Sequence, residues 1–333
     1  MKKLLLLFLL AFLAVPIANA EESVVTLTTT LDEGASIKLY TWADSMDDAF
    51  TIDWGDGVEK IYNKVKPNWT YGSELTGKLG ASKTITIKGD ITYLEIREMQ
   101  ISAATFANTK LKEVDMEKNQ LTDFNLSGLP EVTKLSLNGN SIVTFSSTGN
   151  TVLKNLGLKS NKIDSHQFEI SSLANSLEQL NVSENGENFV ALNLINFDKL
   201  QYFTANDNPE LTTVVFYDGS TNLKQISMNN CYIMHFYAIS LPNLSSLNLS
   251  NNALLDFENG TYPKLSTLSV NGNYLSEIDV TKFPKLFSFD CSSNQLTDIN
   301  VANNPELNYF NCGNNKLTSV DVSTNKELGS LLV

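Results

Sequence analysis

Along most of the chain, apolar residues return in one short pattern. In "LNYFNCG", Leu307, Phe310 and Cys312 alternate with Tyr309, Asn311 and Gly313. Alternation of this kind predicts a short strand, with the first set turned inward and the second outward. The same run stands one period earlier at Leu286, Phe289 and Cys291, and in both copies an Asn follows, Asn294 and Asn315. Written out, the pattern is L-x-x-L-x-L-x-x-N-x-L. Traced backwards, its Asn falls at Asn119, Asn140, Asn161, Asn185, Asn208, Asn252 and Asn273, with Cys231 in the one remaining place. The steps are about 21 to 24 residues, the length of one turn in a stacked-repeat protein. An imperfect turn, "ITYLEIREM", precedes these with Met99 at the Asn position, and another turn begins at Leu328. A repeat of this period predicts stacked turns, each adding one parallel strand about 4.8 Å from the last.

The rest of each turn is equally patterned. "LTDINVANNPE" alternates again and leaves no room for a long helix. It predicts a second extended segment, with Ile299 and Val301 inward and a corner at Asn-Pro or Phe-Pro. The Asn has a specific task at the bend after the strand. Its amide carries two donors and one acceptor, enough to satisfy backbone groups stranded inside the core. Cys231 is a weak donor, so its rung is expected to be looser.

These residues resemble the leucine-rich repeat family, of the compact kind found in bacterial surface proteins, from about Ile91 to Val333. The resemblance implies a mainly β, right-handed solenoid with little helix. Its roughly 11 turns form a parallel concave sheet that binds protein partners.

The segment 21–90 reads differently, as short strands separated by turn signals: "VVTLTTT", "ASIKLYT", "FTIDW", "VEKIY" and "KTITIKG". It holds all three Trp: Trp42, Trp54 and Trp69. Asp56-Gly57 predicts a tight turn, and Trp54 is expected inside. The string Asp53-Trp54-Gly55-Asp56-Gly57 resembles the W-x-F-G-D-G region of polycystic-kidney-disease (PKD) type domains, without the Phe. The resemblance implies a small antiparallel β-sandwich. No linker precedes the repeats, so this domain is expected to cap the solenoid's first turn. Asp53 and Asp56 are weak Ca²⁺ candidates, because carboxylates suit that ion. The alternative is that they only shape the turn.

The opening segment, 1–20, stands apart from both. Lys2 and Lys3, an apolar run and Ala18-Asn19-Ala20 read as a signal peptide. The protein is therefore expected to be exported, to the periplasm, the cell surface or the medium. No later stretch is apolar enough to cross a membrane. The formal net charge is −13, and losing Lys2 and Lys3 makes it −13 − 2 = −15. Such a surface argues against nucleic-acid partners. Three Cys cannot all pair, and Cys291 and Cys312 fall on equivalent inward positions, where they are expected to act as buried apolar residues.

No hydrolase, zinc-protease or phosphate-loop motif occurs, and nothing calls for a cofactor. The two His, His166 and His235, lie in separate turns and read as surface residues. What remains is the outward row of the concave sheet. Its first strands are charged: Tyr93, Glu95 and Arg97, then Glu113, Asp115 and Glu117, then Lys134. Later strands carry small polar groups, with Tyr202 and Tyr309 among them. The acidic triad needs a basic partner or a cation to meet it. The sequence thus points to a non-enzymatic binding protein for an extracellular or surface protein. A carbohydrate-binding module for polysaccharide capture, or an accessory domain of a surface hydrolase system, is the alternative.

Overall fold

The computed structural model describes residues 22–45, 48–63, 74–216, 221–236, 238, 240–257 and 260–333. The expected signal peptide and Trp69 lie outside these. Eight strands open the chain: β1 (Val24–Thr29), β2 (Ser36–Trp42), β3 (Phe50–Asp53), β4 (Glu59–Tyr62), β5 (Glu74–Lys78), β6 (Thr84–Lys88), β7 (Tyr93–Glu95) and β8 (Ile101–Ala107). Two sheets use them. One is antiparallel, in the order β4-β3-β6-β1-β8. The other has 14 strands and begins β5-β2-β7.

From β7 onward the second sheet is the concave wall of the solenoid. Each later turn adds one short parallel strand, from Glu113–Asp115 to Tyr309–Asn311 and Ser330–Leu332. The register is strict, with Phe289 beside Phe310 and Leu268 beside Phe289. β7 is the junction: it runs antiparallel to β2 on one edge and parallel to Glu113–Asp115 on the other. The antiparallel sheet likewise borrows β8, which lies within the first turn of the repeats, as a partner for β1. The two regions are therefore tied by backbone hydrogen bonds in both sheets, and one apolar core runs through them. Trp54 is fully buried, donates its ring N–H to the Tyr62 hydroxyl at 3.1 Å, and packs so closely on Gly77 that any Cβ there would collide with its ring.

The convex wall is less regular. Asp123–Asn125, Thr144–Ser146 and Phe168–Glu169 form a parallel sheet, and Ala191–Asn193 pairs with Thr213–Val215. In later turns the alternating burial persists, Ile299 and Val301 included, but no strand ladder forms among the described residues. Helix among the described residues is confined to two 3-10 turns, Ser165–Gln167 and Ser171–Leu173.

The sequence reading missed two stacks. Phenylalanines line the convex interior in ring contact from turn to turn, as Phe145, Phe168 and Phe189 do, with centroids about 6 Å apart. A second set of buried asparagines holds the convex corners. Asn150 donates to the carbonyls of Leu129 and Val132, and Asn304 and Asn325 repeat the contact.

Candidate binding faces of the solenoid

The concave ladder is built as follows. Asn294 donates to the carbonyls of Cys291 and Ser292 in its own turn and of Val270 in the turn before. Its Oδ1 accepts from Leu275 N at 3.0 Å. Asn119, Asn140, Asn161, Asn185, Asn208, Asn252, Asn273 and Asn315 likewise donate to carbonyls of their own turn and of the one before. In many turns the residue before the Asn takes a left-handed conformation, as Lys118, Ser160, Glu184 and Ser293 do, which turns the chain inward. Cys231 offers only Sγ, to Ala205 O at 3.1 Å. The backbone adapts: Leu211 N bonds to Asn208 O instead of to a side chain of the next turn. All three cysteines are free and buried. Burial pushes the Cys231 thiol up to about 11 and the Cys291 thiol higher still.

The charged first strands prove to be occupied with each other. Tyr93 stacks on Trp42 at 3.8 Å between centroids, and its hydroxyl donates to Glu95. Arg97 forms a two-pronged pair with Asp115, and Glu95 lies 3.4 Å from its Nε. Glu113 faces Lys134 at 3.7 Å. Glu117 accepts from the Ser136 hydroxyl and from Asn138 Nδ2. The cation the acidic triad requires is thus largely supplied inside the chain. Burial outweighs the guanidinium at Asp115 and lifts its carboxyl above the usual range, while Arg97 is held protonated. Farther along, the outward Asn and Ser rows also bond to one another, as Ser250 does to Asn271 and Asn311 to Asp290 and Ser292. Tyr309 is half-buried among them.

The face changes in the middle. Gly157 stands where neighbouring strands carry Ser136 and Asn181, and over it the sheet dips into a depression of about 320 Å³. Lys134, Asn155, Gln179 and Tyr202 stand around it. Tyr202 is 39% exposed, with Lys224 Nζ 5.9 Å from its ring centre. Sequence reasoning found Lys134 and Tyr202 but not the glycine between their strands. Its signal was the absence of any side chain at an outward position.

The remaining candidates serve the fold or the surface. Asp53 accepts from Gly55 N and Gly57 N, and Asp56 accepts from Val58 N, so both carboxylates hold the turn together. No group of three potential metal ligands occurs among the described residues. His166 is exposed beside Asp164, and His235 lies 3.0 Å from Asp256, a turn away from it. Among the described residues no helix is long and apolar enough to cross a membrane.

No protein-family model matches the chain, and no curated protein matches its sequence. Solved structures do. The functional domain of InlJ from Listeria monocytogenes, which includes a cysteine ladder, matches with a TM-score of 0.63 at 22% identity, over 76% of this chain and 56% of that one. This chain therefore spans just over half of that structure's length. The leucine-rich effector protein YopM from Yersinia pestis matches with a TM-score of 0.54 at 17% identity, over 73% of this chain and 71% of that one. Together with the stacked turns, these likenesses show a leucine-rich-repeat-type fold.

Proposed function

We propose that this leucine-rich-repeat-type solenoid is a non-enzymatic binding protein, exported or held at the cell surface. It recognises an extracellular protein on its concave face. The observation that carries this reading is the depression over Gly157. There an exposed aromatic ring and a lysine stand around a dip in an otherwise self-bonded polar surface. Rigid aromatic side chains rimmed by polar groups suit protein recognition, because they bury area at little entropic cost. The charged strands from Tyr93 to Glu117 precede this site on the same sheet and meet it through the Glu113–Lys134 pair. The PKD-like character of the first strands remains part of this proposal, as a module that caps the solenoid.

The test is capture of surface-protein extracts on the immobilised chain, compared with Tyr202→Ala and with Gly157→Lys, which fills the dip. A specific partner lost at least tenfold in both variants supports the reading. A partner bound equally by both places recognition elsewhere. Tyr202 beside Asn155 and Gln179 also favours a second reading, stacking of a sugar ring. A glycan-array signal removed by Tyr202→Ala would select that one.

A further inference from the structure

A second surface lies past the ladder, where the chain leaves the concave strand. The residues one and three positions after Cys231, Asn252 and Asn273 line up on adjacent turns. Leu255 N donates to Met234 O, and Tyr274 N donates to Leu254 O. Most turns place polar groups here: Lys162 and Asp164, Gln295 and Thr297, Lys316 and Thr318. Two consecutive turns, at Tyr232/Met234 and Ala253/Leu255, do not, and the next keeps Tyr274 at the first position with Ser276 at the second. Tyr232 is 49% exposed, Met234 38%, Leu255 56% and Tyr274 55%. Ala253, almost covered, stands between the two tyrosines. With turns about 4.8 Å apart, the Tyr232 and Tyr274 backbones lie roughly 10 Å apart, the width of one chain lying between two rings. Isolated exposed apolar residues need no explanation, but a contiguous group on one face does.

Leu255 also opens a groove of about 620 Å³ that continues onto the convex side. Asp256, Glu277, Asp279 and Asp298 line it, and among the described residues no Lys or Arg does. Among the described residues His235 lies 3.0 Å from Asp256, but no Lys or Arg forms an ion pair with these four, in contrast to the first strands, where Arg97 and Lys134 sit against the triad. Asp279 accepts from the Thr281 N–H and hydroxyl, which hold its carboxyl below the usual range and keep it charged.

We infer that this edge, from Tyr232 to Tyr274 and on into the acidic groove, docks an extended segment of a protein partner in which apolar side chains are followed by Lys or Arg. The apolar residues lie across Ala253 between the tyrosines, and the basic ones reach Glu277 and Asp298. Charge complementarity sets the occupant, since an acidic or neutral segment would leave Glu277 and Asp298 without a counter-charge. This surface is separate from the depression over Gly157 and does not depend on it.

The test uses a labelled ten-residue peptide with Leu and Ser in its first half and Lys and Ser in its second, the Lys–Leu peptide, with Lys–Ser (Leu replaced by Ser) and Glu–Leu (Lys replaced by Glu) peptides of the same layout as comparators. Fluorescence anisotropy should show the Lys–Leu peptide binding at least tenfold tighter than either comparator. Tyr232→Ser with Tyr274→Ser should weaken it at least tenfold, and Leu255→Ser about fivefold. Glu277→Gln with Asp298→Asn should weaken it and flatten its salt dependence. Gly157→Lys should leave it unchanged. All substituted side chains but Gly157 are exposed, so melting temperatures should stay close to that of the parent. No binding of the Lys–Leu peptide, equal binding of the Lys–Ser peptide, or binding indifferent to the tyrosine pair would each overturn the inference. So would self-association of the parent that the tyrosine variants abolish, because the face would then belong to a second copy.

Discussion

The turns from Asn252 to Asn315 and the turn that leads into Cys231 solve the same problem differently. In the first region the ladder residues Asn252, Asn273, Asn294 and Asn315 are evenly spaced, and each accepts a backbone N–H from the preceding turn. In the second, the step from Asn208 to Cys231 is longer. There Leu211 N closes on Asn208 O, which removes the demand for an acceptor in the next turn. The cysteine is tolerated because the backbone no longer needs what it lacks. A repeat position is thus fixed by the groups left over at that bend, not by the consensus.

Exchanging the two residues breaks this comparison most forcefully. Asn294→Cys leaves the Leu275 N–H and two inner carbonyls poorly met and should cost about 3 kcal/mol in urea unfolding, taking about 1–3 for each unsatisfied group with partial relaxation. A loss below about 1 kcal/mol would mean that the ladder is ornamental. At the charged end, Arg97→Ala removes the cation facing Asp115 and should cost about 1–2 kcal/mol at neutral pH, discounted for the exposure of the pair. The cost should shrink as the solution is acidified. The Asp115 carboxyl already lies above its unfolded value, and losing Arg97 raises it further. A group raised in this way stabilises the fold when protonated, fully below the unfolded pKa, and that stability is lost as pH rises through the folded pKa. Unfolding of this variant from pH 7 to 4 reads the trend. A cost that grew on acidification would contradict it.

The reverse exchange, Cys231→Asn, should stabilise by no more than about 1 kcal/mol, since it adds better donors but finds no waiting N–H. A gain as large as the Asn294→Cys loss would show that the two bends are equivalent after all. The smallest effect concerns the thiols. Cys231 retains slight exposure while Cys291 has none. A disulfide reagent should therefore label Cys231 first in the native state, and all three only after unfolding.

The concave ladder was legible because its chemistry recurs at one residue per turn. The convex asparagines were not, because Asn304 and Asn325 sit in strings, "NNPE" and "TNKE", that read as corner residues. Nothing in a single turn distinguishes a buried amide there from a solvent-facing one. The phenylalanine stack is visible in the spacing of Phe124, Phe145, Phe168 and Phe189, but alternation along one turn predicts only that a convex residue such as Ile299 points inward, not that rings of successive turns meet. The acidic triad was misleading for a related reason. Glu113 and Lys134 are separated by one period, so the sequence itself places them side by side. Reading charges along a strand, instead of across turns, made a paired cluster look unpaired. The dip at Gly157 emerges only when what is missing from a row is read alongside what is present.

The long sheet has a further consequence when the molecule is pulled. Its inter-strand hydrogen bonds run along the stacking axis, so tension between the ends loads them singly, like a zipper and not like a sheared lap joint. The solenoid should extend in increments of one turn, each releasing roughly 70 Å of chain for about 21 residues. The first strands should resist longest, because β7 and β8 are each held by an antiparallel neighbour as well. A spring of this construction yields in countable steps and keeps its anchored end folded.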